Sequence, residues 1–89
     1  MQLKELKEGW LKCDISDGMF SNEKAIKCNS ATSDIFSFFV HHSLVDEKRT
    51  AVRVSIIDCQ GKYCTIYLPV EPVEGISRTV LVSQEDILR

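Results

Sequence analysis

The sequence predicts an all-β domain of five or six antiparallel strands closed by a short C-terminal helical turn, and three observations carry that expectation. Apolar residues recur with a period of two along several separate stretches, the pattern of half-buried strands. Short turns rich in Ser, Asp, Asn and Gly divide those stretches. In one region, Thr50 to Val70, strand pattern, turn chemistry and pairing register agree with one another.

Length sets the frame. A chain of 89 residues is a single domain with one modest core, ordered over about residues 9–88, and it is too small to enclose a large catalytic cavity. Residues 1–8 can form one helical turn on Leu3 and Leu6 or stay extended and frayed. From Gly9 a strand is expected, with Leu11, Cys13 and Ile15 in one phase and Trp10, Lys12 and Asp14 in the other. Cys13 therefore belongs to the core, while Trp10 falls in the polar phase. Ser16-Asp17-Gly18 reads as a turn, and Met19-Phe20 stand beyond it in a loop, where they either cap an open barrel end or offer a contact surface.

Glu23 to Asn29 is a second strand with Ile26 and Cys28 in phase, ended by the small polar run Asn29 to Ser33. Asp34 to His41 is apolar on both sides, with Phe36, Phe38 and Val40 against Ile35 and Phe39, which places it centrally in a sheet. After a corner at Ser43-Leu44-Val45 and an exposed turn at Asp46 to Arg49, Val52, Val54 and Ile56 lead into Asp58-Cys59-Gln60-Gly61. A type I turn with Gly61 left-handed as a bulge would face Ile56 with Cys64, Val54 with Ile66 and Val52 with Leu68, keeping apolar pairs on one face. Pro69 to Gly75 breaks the ladder, because proline has no N–H to give it. A last strand runs from Arg78 to Val82. Ser83 then caps a helical turn, with Asp86 at the capping-box position and Val82 and Ile87 as a hydrophobic staple.

Strands of this spacing, joined by tight turns and ended by a strand plus one helical turn, resemble a small SH3-like barrel. The resemblance spans most of the chain and rests on strand spacing and that ending. The acidic loop and aromatic pair with which signalling SH3 domains hold proline-rich peptides are not recognisable, so no peptide-binding residue carries over. An oligonucleotide-binding barrel and an open α+β roll are the alternatives.

The residues that carry chemistry form no local motif. His41 and His42 are adjacent, and on a strand they point to opposite faces, which keeps them off one metal ion. The cysteines lack the CxxC knuckle of structural zinc sites, with Cys13, Cys28 and Cys64 on core phases and Cys59 in a turn. No Cys or Ser stands in a nucleophile motif, and no Gly-rich phosphate loop occurs. Thirteen acidic and eleven basic residues are evenly spread, which gives no electrostatic footprint for nucleic acid. The charged N-terminus is unlike a signal peptide, and no segment has membrane-spanning length. The expectation is thus a cytoplasmic, monomeric, non-enzymatic module without cofactor, metal or disulfide that binds a partner protein, with Trp10, Met19 and Phe20 as the contact surface. A nucleic-acid-binding barrel and an accessory subunit of an enzyme are the other functional readings.

Overall fold

Strand alternation organises the molecule in two sheets. The computed structural model describes residues 7–73 and 77–88. Its strands are β1 (Lys7–Lys12), β2 (Asp14–Asp17), β3 (Glu23–Asn29), β4 (Ile35–His41), β5 (Val45–Asp46), β6 (Ala51–Gln60), β7 (Tyr63–Tyr67), β8 (Thr79–Ser83) and β9 (Ile87–Leu88). Single 3-10 turns cover His42–Leu44 and Gln84–Asp86. The larger sheet has the order β8-β7-β6-β1-β9, with the short β5 also on β6, and the smaller has the order β2-β3-β4. No ladder among the described residues joins the two, so they do not close into a continuous barrel.

The inward phases meet in one core. Leu11, Val52, Val54, Cys64, Ile66, Leu68 and Val82 from the larger sheet face Ile26, Cys28, Phe36, Phe38 and Val40 from the smaller. Burial of this kind stabilises by about 1.5–3 kcal/mol per large side chain before chain entropy is subtracted. Trp10, Lys12 and Arg53 occupy the opposite phase, so the sequence alternation maps onto inside and outside.

The central hairpin keeps its apolar face in a different register from the one expected. Gln60 pairs with Tyr63 across a two-residue Gly61-Lys62 turn, with Gly61 at φ +59°. Positive φ at Gly61 but not at Lys62 is the type II′ arrangement, whose twist suits a hairpin. Continued without interruption, that turn would bring Ile56 opposite Tyr67 and rotate Val52, Val54 and Ile56 away from the core. A bulge at Ile57, between the Ile56/Ile66 and Asp58/Thr65 pairs, restores the parity. Gly61 is left-handed as expected, while the three-residue loop and its register are replaced: Cys64 faces Cys59 and not Ile56, and Ile66 faces Ile56 and not Val54.

The tight turn also changes the cysteines. The two-residue turn, not the bulge beyond it, places Cys59 on a strand directly opposite Cys64, and the two form a disulfide with Cα atoms 4.0 Å apart. The expectation of four reduced thiols, drawn from the cytoplasmic reading and from Cys59 lying in the turn, is corrected accordingly, since the two-residue turn puts Cys59 on the strand instead. Three other expectations change. The first strand starts at Lys7, so residues 7 and 8 of the expected helical or frayed segment 1–8 are paired in β1, and the rest of that segment lies outside the described residues. β4 is not central but an edge of the smaller sheet, with Ile35 62% and Phe39 41% exposed on its outer face. On its free side the Ser37 carbonyl accepts from the Val73 N–H. The Ser83 side chain accepts from the Glu85 N–H at the last 3-10 turn, but β9 follows, so the described chain ends on a strand paired with β1.

Candidate functional site

Trp10 projects from the outer phase of β1, where its neighbours across the ladders are Arg53 and Leu88. It is half-buried. Its ring lines an open groove of about 660 Å³ together with Lys24 of β3 and His42, Val45, Asp46 and Glu47 of the corner that leads into β6. The groove thus lies where the two sheets meet. Ser21, the residue after Phe20, lines its rim.

Local chemistry explains how the walls hold their shape. Asp46 Oδ1 accepts from the Lys48 and Arg49 N–H groups, closing the corner as an Asx-type turn. Its Oδ2 accepts from Arg49 Nε at 2.8 Å, and the Arg49 guanidinium carbon sits 5.3 Å from the centroid of the Trp10 ring. The carboxylate therefore fixes the cation over the aromatic face. Hydrogen bonding from Arg49, first through its side chain, lowers the Asp46 pKa below the ordinary 3.8. On the other wall Lys24 Nζ lies 3.1 Å from Glu47 and 3.2 Å from Asp17. Those bonds, Glu47 first, raise the Lys24 pKa. Exposed pairs of this kind add little stability, and their effect here is to tie β3 and β2 to the corner across the groove.

The loop between β2 and β3 is held at its base by the Gly18 N–H donating to the Glu23 carbonyl and by the Met19 N–H donating to the Glu23 side chain. A Cβ on Gly18 would lie 2.8 Å from the Glu23 carbonyl oxygen, so the close approach requires glycine. Met19 is 82% and Phe20 66% exposed. Neither fills a barrel end. The structure brings the neighbourhood of Phe20 to the Trp10 groove through Ser21, while the Met19 and Phe20 side chains themselves stand outside its lining.

Sequence reasoning missed the groove walls, because Asp46 to Arg49 reads as a solvated turn and Lys24 as a strand-surface cation. The signal was the Asp46-x-x-Arg49 spacing, which lets the acid bond both the backbone and side chain of the later residue. The two histidines also depart from expectation. The 3-10 turn begins at His42, strand alternation stops there, and the two rings stack with centroids 4.4 Å apart. Among the described residues no three His, Cys, Asp or Glu side chains converge on a metal position, and no helix is long and apolar enough to cross a membrane.

Relatives do not decide what the groove does. The chain matches no family model, no curated protein and no solved structure.

Proposed function

We propose that the chain is a small SH3-like β module that binds a partner protein through the Trp10 groove, with the Met19-Phe20 loop as an additional contact at its rim. The observation that carries this reading is the joint placement of a half-buried tryptophan in an open groove and two large apolar side chains on the adjoining loop, none of them used by the core. Aromatic residues and Met are favoured at the centres of interfaces because they cover much area at modest entropic cost. The strand order β9-β1-β6-β7-β8, with β9 reached through a single 3-10 turn, supports the SH3-like part of the reading. In this role the chain works without a cofactor and performs no catalysis.

The test is a comparative pulldown from native lysate using the wild-type chain, Trp10→Ala and Phe20→Ser, each checked for unchanged thermal melting. A protein retained by the wild type and lost from the folded variants is expected. Equal retention by all three sinks the reading. Salt-sensitive retention on polyU instead would favour the nucleic-acid alternative.

A further inference from the structure

The remaining cysteines, Cys13 and Cys28, are both buried and both reduced. Their setting is not that of isolated core thiols. The β2/β3 ladder pairs Asp14 with Lys27 and Ile15 with Ile26, and one further step of the same register sets Cys13 opposite Cys28. The hydrogen-bonding phase can be followed to this position. Gly18 donates to Glu23 across the ladder, and in an antiparallel pair the residues that bond across alternate with those that do not. Residues 14, 16 and 18 therefore point their amides at β3, and residues 13, 15 and 17 point theirs away. The Cys13 N–H confirms the phase, donating to Thr50 at 2.9 Å on the side of the larger sheet.

A non-hydrogen-bonded position brings facing side chains closest together. Cys59 and Cys64 occupy the same kind of position one step from their own hairpin turn, and they are joined. We propose that Cys13 and Cys28 are a second cross-strand pair, a redox modification site that closes to a disulfide between the sheet junction and β3. The two thiols are within hydrogen-bonding reach of each other: the Cys28 S–H bonded to the Cys13 sulfur lowers the Cys13 pKa, and the same bond with burial raises that of Cys28. Cys13 is also the more exposed of the two, so it is the thiol that an external disulfide meets first.

The co-reactant is a small organic disulfide, RSSR. The Cys13 thiolate attacks one of its sulfurs, forming a mixed disulfide and releasing RS⁻. Cys28 then loses its proton and attacks the Cys13 sulfur, expelling the second RS⁻. Two protein thiols are oxidised by two electrons in all, RSSR is reduced to two RSH, and the protons from the cysteines end on those products. β2 is an edge strand, so the pair becomes accessible by local opening of that edge rather than by global unfolding.

The full-length chain, reduced and then exposed to glutathione disulfide, tests this without any substitution. Titratable thiols in denaturant should fall from four to none, and a non-reducing peptide map should recover Cys13 linked to Cys28 as well as Cys59 linked to Cys64. The Cys59→Ser/Cys64→Ser variant should still lose both remaining thiols as a monomer. In Cys28→Ser, Cys13 should be trapped as the glutathione adduct. Two thiols that persist in the oxidised wild type and map to Cys13 and Cys28, or linkage of either to Cys59, Cys64 or a second chain, would overturn the assignment.

Discussion

Two hairpins of this chain solve the same problem in different ways. In β6-β7 a two-residue turn imposes the register, and that register has the wrong parity for the apolar phase, so a bulge at Ile57 corrects it. In β2-β3 the chain turns through the longer loop at residues 18–22, and no register shift follows. The difference teaches that a tight turn dictates pairing by backbone geometry, whereas a longer loop leaves pairing to the side chains. Each solution leaves its surplus on the surface. The first leaves Ile57, and the second leaves Met19 and Phe20.

The comparison assumes that both hairpins support one shared core, and truncation at their inner faces tests that most strongly. Ile26→Ala in β3 and Ile66→Ala in β7 remove fully buried side chains of the same type. Each should cost about 2–5 kcal/mol in denaturant unfolding. A loss at Ile26 several-fold below that at Ile66 would mean that the smaller sheet is docked loosely and that the two hairpins are not equivalent partners.

Next in size is the turn itself. A Cβ on Gly61 would meet no atom within 4 Å, so the cost of substitution there is conformational and not steric. Gly61→Val should lose more than about 1 kcal/mol, because a β-branched residue is poorly tolerated at positive φ. Gly61→Asn should lose much less, since Asn enters that region more readily. Equal melting temperatures for Val and Asn variants would show that the turn does not set the register.

The loop should behave in the opposite sense. Phe20→Ser is expected to change stability by no more than about 0.5 kcal/mol, as for a surface substitution. A loss of about 2 kcal/mol or more would return Phe20 to the role of a core plug.

The smallest expected effect is in the groove. Because Arg49 holds the Asp46 pKa below its ordinary 3.8, the contribution of that bond is present above the unfolded value and is lost as pH falls through the folded one. Trp10 fluorescence should therefore change below pH 3.8 in the folded protein, and the change should vanish in Asp46→Asn. A midpoint above 3.8 would separate Asp46 from the tryptophan.

Much of the fold was legible for a simple reason: alternation records which face of a strand is buried, and it did so at Leu11, Ile26, Phe36, Val54, Ile66 and Val82. Strand neighbours were not legible to the same degree. β4 carries apolar residues on both faces, which suggested a central strand, yet Ile35 and Phe39 face outward from an edge. Local pattern reports what a side chain can tolerate, not which strand lies beside it. The bulge was hidden because parity depends on the turn and the core together. The site was partly visible through the phase of Trp10 and the position of Met19-Phe20. Its other walls come from residues distant in sequence, Lys24 and Asp46-Glu47, whose convergence only the tertiary arrangement creates.

One junction has a kinetic consequence. Lys12 pairs with Ala51, and beside that pair the Cys13 N–H reaches Thr50. The whole smaller sheet is therefore an excursion whose two ends meet at neighbouring ladder positions. Its own pairings, β2 with β3 and β3 with β4, link segments adjacent along the chain, and such contacts close at low entropic cost. Pairing of β1 with β6 spans the whole excursion and is costly for a free chain. Once the small sheet has formed, the same pairing has only to close the last gap at Cys13 and Thr50. The excursion is in this sense a folding template for the sheet it interrupts.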